Sequence, residues 1–375
     1  MKFVDEFRDP ALAKQVLERI HQIADELNVN RTRPLQIMEV CGGHTHSIFR
    51  YGLEELLPKS VEMVHGPGCP VCVLPMGRVD DCVAIAEQPD VIFATFGDAM
   101  RVPGSKKSLQ QASAEGCDVR MVYSPMDALA IARANPDKRV VFFGLGFETT
   151  MPSTALTVQQ AKREGVNNFF LFSNHITIIP TIKAILDSPD MTIDGFLGPG
   201  HVSMVIGQKP YEFIAKDYDR PLVIAGFEPL DILQSLLMVL EQIKEGRAEV
   251  ENQYKRIVPE GGNLNALKAV ADIFELREFF EWRGLGSIDQ SGVRIKEAYR
   301  DFDAEHTFTM PNLQIADPKS CQCGEVLKGA IKPWECKLFG EQCNPETPMG
   351  ALMVSTEGAC SAYYSYGKIA AQNIA

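Results

Sequence analysis

The 375-residue sequence has no long hydrophobic run and no cluster of basic residues. No segment approaches the roughly 20 apolar residues that a helix needs to cross a bilayer, so no membrane segment is expected. The net charge of −12 argues against nucleic acid or an anionic membrane as partner, because both require clustered Lys and Arg. The opening residues, MKFVDEFRDPALAKQV, lack the basic start and apolar stretch of a signal peptide, so a soluble, cytoplasmic protein is expected.

Several common catalytic motifs are also absent. The sequence contains no P-loop and no GxSxG motif. GLGFE, residues 144–148, lacks the third glycine of a dinucleotide-binding fingerprint and the acidic residue after the following strand, which excludes a nicotinamide site. Only one CxxC occurs, so a zinc ribbon, which needs two, is disfavoured.

Short apolar runs alternate with stretches of helical periodicity, which predicts an α/β fold with parallel sheets covered on both faces. A helix is expected within residues 1–32, where apolar residues recur at helical spacing. The predicted strands are LQIMEV, VEMVHG, VIFATFG, VRMVYS, VVFFGLG, NFFLFS, GFLGPG and PLVIAG.

Two segments carry similarly ordered features, which suggests an internal duplication. His44 precedes a Gly-Pro-Gly by 22 positions, and His175 precedes a second Gly-Pro-Gly by 23. We therefore expect two related α/β domains, residues 33–130 and 131–235, with their polar strand ends facing a shared cleft. Residues 236–375 are expected to form a small helical and irregular domain held by a metal centre.

CGGHTH, residues 41–46, places Cys41 and His44 directly after a predicted strand. Its glycines would permit a tight loop and close approach of a ligand. A neighbouring imidazole can lower the pKa of a thiol and so favour the thiolate, which is both nucleophile and metal ligand. The alternative is a glycine-rich turn with a structural histidine.

HGPGCPVC, residues 65–72, contributes Cys69 and Cys72 at the spacing of a redox dithiol or half a zinc knuckle. A dithiol that gates or completes a metal site is the favoured interpretation. A buried structural pair is the alternative. The scattered Cys82 and Cys117 are interpreted as small hydrophobic residues.

Four further cysteines follow the spacing C-x12-C-x6-C-x16-C: Cys323, Cys336, Cys343 and Cys360. In a reducing compartment such thiolates suit an iron–sulfur cluster or a zinc ion, and irregular spacing is better tolerated by a cluster. Cys321 adds an ambiguity, since either cysteine of C-Q-C could be the ligand.

The longer motifs resemble the HypD family of hydrogenase maturation proteins. They are EVCGGHTH, HGPGCPVCVLPMGR, FGDAMRVPG, VVFFGLGFETTMP, LGPGHVSMVIG, CGEVLKG and GALMVSTEGAC, and they span almost the whole chain. The resemblance implies two α/β domains flanking a cleft and a third domain with a 4Fe–4S cluster. It assigns the cluster to Cys323, Cys336, Cys343 and Cys360 and leaves Cys321 as an extra thiol.

The resemblance also implies a function. Such proteins act with a small partner, HypC, as the scaffold on which the Fe(CN)2CO group of NiFe hydrogenase is assembled, and cyanide arrives from HypE with HypF. Cys41 would then bear the iron, with Cys72 or a HypC cysteine as a further ligand. Cys69 and Cys72 would be the redox pair, and His44 would tune the site.

Two other functions remain open from the residues alone. One is a stand-alone disulfide oxidoreductase with a structural metal, and the other is a zinc-stabilised binding module. Neither gives Cys41 and His44 a task.

Overall fold

The computed structural model describes residues 5–29, 31–189 and 191–367. The strands are β1 (Leu35–Glu39), β2 (Val61–His65), β3 (Val91–Thr95), β4 (Val119–Met121), β5 (Arg139–Gly146), β6 (Phe169–His175), β7 (Gly195–Pro199), β8 (Leu222–Ala225), β9 (Val250–Asn252), β10 (Phe274–Leu276), β11 (Phe279–Trp282), β12 (Gly286–Asp289) and β13 (Val293–Ile295). The apolar runs of the sequence thus become the parallel strands β1 to β8, as predicted.

The α-helices are α1 (Pro10–Asn28), α2 (Gly42–Arg50), α3 (Leu53–Leu56), α4 (Met76–Ala86), α5 (Gly97–Met100), α6 (Leu109–Ala114), α7 (Pro125–Ala134), α8 (Met151–Glu164), α9 (Ile178–Leu186), α10 (Gly200–Ile206), α11 (Glu212–Tyr218), α12 (Pro229–Glu245), α13 (Leu264–Ile273), α14 (Ala304–Thr307), α15 (Cys323–Leu327) and α16 (Ala359–Ala362). No helix in the described ranges is long and apolar enough to cross a membrane.

The N-terminal helix α1 begins at a well-formed cap. The Asp9 side chain accepts hydrogen bonds from the backbone N–H groups of Ala11 and Leu12, and Pro10 occupies the first turn, where its missing N–H costs nothing. Ile20 and Ile23 are fully buried in the cluster that α12 also joins. The apolar side of α1 that the periodicity predicts therefore packs on one face of a sheet.

The first sheet has five parallel strands in the order β2-β1-β7-β8-β9. The second sheet has four parallel strands in the order β4-β3-β5-β6. Both are α/β layers, as the alternating pattern predicts.

The strand pairing corrects the expected boundaries 33–130 and 131–235. β1 pairs with β2 on one side and with β7 on the other, so the first sheet draws on two separate stretches of chain, while the second lies wholly between them. The third region, 236–375, also gives strand β9 to the first sheet. Apolar runs reveal strands but not their partners, because each buried parallel strand has the same composition.

The same pairing corrects the suggested duplication. The first set of matching features follows β1, β2 and β3, and the second follows β6, β7 and β8. The two sets are therefore divided between the sheets in different ways, and neither builds a sheet by itself.

The largest buried cluster joins the two sheets to the C-terminal region. It contains Phe196 and Ile224 of the first sheet and Phe93 and Phe143 of the second. It also includes the cysteines Cys69, Cys72, Cys82, Cys323, Cys343 and Cys360. Both sheets and the cysteine-rich segment thus share one core.

The chain after residue 252 has little regular structure. β10 pairs with β13 and β11 with β12, both antiparallel. Residues 308–367 consist of short helical turns and irregular segments.

Candidate metal and redox centre

Cys41 lies at the carboxyl end of the first sheet, two residues after β1 and just before α2. Only 7% of its surface is exposed. Burial, followed by the nearby carboxylates of Glu357 and Glu39, raises the pKa of the Cys41 thiol to about 12. The thiol is therefore neutral by itself, and binding of a metal cation would release its proton.

The segment after β1 is helical, which corrects the expected tight loop: α2 begins at Gly42. The backbone N–H groups of His44 and Thr45 donate to the Cys41 carbonyl oxygen at 2.8 and 3.2 Å. Cys41 thus caps the helix, and its side chain is held at the helix N-terminus, where the backbone N–H groups of Gly43 and His44 favour the thiolate.

A buried carboxylate, Glu39, fixes this end of β1. Its oxygens accept hydrogen bonds from the Cys41 backbone N–H at 2.9 Å and from the Thr45 hydroxyl. His65 Nδ1, at the end of the neighbouring strand β2, lies 2.9 Å from the same carboxylate. One fully buried side chain thereby ties β1, β2 and α2 together beneath Cys41.

His44 is close to Cys41 in sequence, but its ring contacts the end of β8 and the residues after it. The fully buried ring donates from Nε2 to the carbonyl oxygen of Ala225, 3.1 Å away, and stacks on Phe227 at 4.7 Å. Burial lowers the pKa of His44, so the ring is neutral. The expectation that an adjacent imidazole depresses the thiol pKa is therefore wrong. The Nδ1 atom is buried without a partner.

Cys69 and Cys72 are joined as a disulfide and are almost completely buried. The loop before them passes directly over Cys41. A Cβ atom at Gly68 would lie 2.4 Å from both the backbone N and Cα of Cys41, a contact that only glycine allows. The two N-terminal motifs of the sequence therefore form one site.

A cleft opens beside the disulfide. Its volume is about 550 Å³, and its walls include Cys69, the chain just after β3, β4 and β5, and residues 355–357. Asp98, after β3, and Thr150, after β5, thus lie in one cleft near the carboxyl ends of their strands. Cys41 is not part of the wall and lies behind Glu357.

Glu357, like Glu39, is an acidic residue that the sequence analysis did not single out. It lines the cleft, and its side chain packs so closely on Gly42 that a Cβ there would lie 2.6 Å from the Glu357 Cβ. Burial, with Asp98 and Glu39 nearby, raises the pKa of Glu357. Its only sequence signal is its place in STEGAC, three residues before Cys360.

Three further acidic residues lie near strand ends: Asp98 lines the same cleft as Glu357, whereas Glu148 and Glu228 have separate surroundings. Glu228 caps α12 and pairs with Arg8, and Asp98 pairs with Arg101 at 3.2 Å. Glu148 is buried, accepts from the Ile178 backbone N–H at 3.0 Å, and has its second oxygen unpartnered. Burial raises the pKa of Glu148 to about 7.

The C-terminal cysteines line one small cavity. Its walls contain Cys321, Cys323, Cys336, Cys343 and Cys360 together with apolar side chains. Within the described ranges, no three His, Cys, Asp or Glu side chains are grouped closely enough to hold a metal ion. The thiols line a shared space with apolar walls, and such a donor set would suit an iron–sulfur cluster held by four of them.

The disulfide and the C-terminal segment are in direct contact. A Cβ at Gly358 would lie 2.9 Å from the Cys72 sulfur, and Gly358 stands two residues before Cys360. The structure therefore brings the CxxC pair next to the cysteine-lined cavity, which the linear spacing of the motifs does not reveal.

His201 is a second residue that sequence reasoning missed. Its ring stacks on Phe227, with the ring centroids 3.9 Å apart, and Phe227 also stacks with His44. It follows a Gly-Pro-Gly, and this repeat is the signal that could have identified it.

Comparisons with known proteins agree with these features. A family model described as "HypD: Hydrogenase formation hypA family" matches residues 11–367. The chain is 62% identical over 371 residues to the hydrogenase maturation factor HypD of Rhodobacter capsulatus, covering 98% of each chain. It is 59% identical over 366 residues to HypD of Escherichia coli K12, again covering 98% of each, and 53% identical to HypD2 of Bradyrhizobium diazoefficiens, covering 98% of this chain and 97% of that relative.

Proposed function

This chain belongs to the HypD family of hydrogenase maturation factors, and we propose that it serves as the scaffold on which the Fe(CN)2CO group of NiFe hydrogenase is assembled. The observation that carries the proposal is the contact between the two N-terminal motifs: Gly68 lies against Cys41, and the cleft reaches the disulfide beside it. A buried thiol next to a redox pair suits the capture of an iron as cargo.

Cys41 is the proposed iron-bearing residue. Its pKa of about 12 keeps it protonated until a cation arrives, and the iron then takes the thiolate as a soft ligand. Cys72, or a cysteine of the partner, is proposed as a further ligand. His44 would act on the iron site indirectly, as a buried, neutral ring in the same helix that begins after Cys41.

Cys69 and Cys72 are proposed as the redox-active pair. Reduction of their disulfide takes two electrons and two protons and yields two thiols. Cys323, Cys336, Cys343 and Cys360 would hold a 4Fe–4S cluster, which supplies one-electron transfer when bound. The contact between Gly358 and Cys72 offers a short route between the two centres.

The proposed partners are a HypC-type small chaperone and HypE, which with HypF supplies cyanide. The open cleft leaves space at Cys69 for a donor group to approach. Glu357 lines this approach and lies close to Cys41, so it would be among the first polar groups that an entering ligand meets.

A stand-alone disulfide oxidoreductase is the second candidate, favoured by the position of Cys69 in the cleft wall. It would reduce small disulfides without a partner. It leaves unexplained why the loop that leads into this pair packs on Cys41, whose thiol is buried.

The test is infrared spectroscopy of the protein purified with its HypC-type partner. We expect cyanide and CO stretches in the wild type, their loss in Cys41→Ala, and their retention in Cys82→Ala, which removes another buried thiol. Visible absorption of the cluster should survive in Cys41→Ala and vanish in Cys336→Ala. Wild-type protein without diatomic bands, but with disulfide reductase activity, would favour the second candidate.

A further inference from the structure

A fifth thiol shares the cavity with the four cysteines of the cluster motif. The Cys321 sulfur lies 3.3 Å from the Cys323 sulfur and is oriented to donate a hydrogen bond to it. Both residues line the cavity, as do Cys336, Cys343 and Cys360. The two sulfurs therefore stand at the same corner of the site.

Gly350 packs against both sulfur atoms. A Cβ atom at Gly350 would lie 2.4 Å from the Cys323 sulfur and 2.6 Å from the Cys321 sulfur. Gly350 thus leaves room for both thiols. For Cys321 to take the place of Cys323 at the cluster, its sulfur would move by about the 3.3 Å that separates the two sulfurs. Any side chain at this position would displace both.

The backbone also permits the exchange. Cys323 is the first residue of α15, whereas Cys321 precedes the helix and is anchored by its N–H to the Pro318 carbonyl oxygen at 2.8 Å. Cys321 is half-buried, so its side chain can turn without disturbing the packed helix. Cys336, in contrast, has no other cysteine within six residues.

We propose that Cys321 is a reserve ligand of the cluster, able to replace Cys323. The inference rests on the proposed cluster. The exchange is a ligand substitution without a change of oxidation state: the Cys321 sulfur forms a bond to iron and gives up its proton, the bond from Cys323 to iron breaks, and the Cys323 sulfur takes up that proton across the contact between them. The protein would then keep the cluster when either Cys321 or Cys323 can no longer bind iron.

The experiment compares anaerobic reconstitution with iron and sulfide in Cys321→Ala, Cys323→Ala, the double variant and Cys336→Ala. We expect both single variants at the C-Q-C corner to keep iron, sulfide and visible absorption near the wild-type level. The double variant and Cys336→Ala should lose at least about tenfold in cluster affinity, the loss that even supporting residues of metal sites produce. Cys323→Ala as poor in iron as the double variant would overturn the proposal.

Alkylation followed by mass spectrometry separates a failed ligand from a failed fold. In the loaded wild type Cys321 should be alkylated, and in loaded Cys323→Ala it should be protected. Continued alkylation of Cys321 in a loaded Cys323→Ala protein would also overturn the proposal. A cluster that survives in Cys336→Ala would contradict the proposed ligand set itself, an outcome distinct from failure of the reserve ligand.

Discussion

Burial, more than the neighbouring residues in the sequence, determines the protonation of single residues at the site. Cys41 and His44 share one short motif, yet the thiol faces Glu357 and Glu39 while the imidazole stacks on Phe227. Sequence reasoning identified both residues, but it could not give their direction, because that depends on the helical course of α2. The result is a raised thiol pKa where a lowered one was expected.

Glu148 allows the effect of burial on the pKa of a single carboxyl group to be tested. Folding raises its pKa from 4.5 to about 7, so the folded chain keeps a proton that the unfolded chain loses in this window. Its contribution to the free energy of unfolding is therefore greatest below pH 4.5 and falls as the pH rises to 7. Glu148→Gln should remove this fall, a difference of roughly 3 kcal/mol between the two ends of the window.

Urea unfolding at a series of pH values would measure the effect of Glu148→Gln. Glu55→Gln is the control, because Glu55 is exposed and its change should alter the pH profile little. Parallel profiles for the wild type and Glu148→Gln would show that folding leaves the pKa of Glu148 unchanged and would contradict the prediction.

At the scale of elements, the site depends on how closely the ends of β1 and β2 approach. The Gly66 N–H donates to the Glu39 carbonyl oxygen at 2.9 Å, which extends the strand pairing, and Gly68 then crosses Cys41. The sequence predicted both strands and the glycine-rich segments after them. It could not show that they touch, since that requires the register Glu39↔His65.

Gly68→Ala tests this contact. The new Cβ would meet backbone atoms of Cys41 at 2.4 Å, which cannot move aside as a flexible side chain could. We expect a loss of about 1–3 kcal/mol in the free energy of unfolding from overpacking, together with weaker iron loading at Cys41. Denaturant unfolding and iron analysis are the measurements.

Gly261→Ala is the matched control for that substitution. A Cβ at Gly261 meets no atom within 4 Å, and its backbone needs no left-handed conformation. It should leave both stability and iron loading near the wild-type values. Equal effects of the two substitutions would show that the tight approach of the Gly68 loop is not what matters.

For the whole molecule, the order of the chain and the order of the sheets differ. The chain leaves the first sheet after β2, builds the second sheet completely, and returns at β7. The fold class follows from alternating strands and helices, but this excursion does not, because local patterns contain no information on partners. The segment around Gly358, from the far end of the chain, also reaches the ends of the paired strands β1 and β2, so that Cys41, Cys69 and this segment meet at one place.

This meeting predicts that the proposed cluster and the Cys69–Cys72 disulfide exchange electrons. With Cys72 in contact with Gly358, reduction of the cluster should be followed by reduction of the Cys69–Cys72 disulfide, which takes up two electrons in steps of one. Photoreduction with a deazaflavin, followed by alkylation and mass spectrometry, would count the new thiols. Cys336→Ala under identical light is the control, because without a cluster the disulfide should persist. Unchanged thiols in the reduced wild type would contradict this coupling and leave the proposed cluster with a structural role in the C-terminal segment.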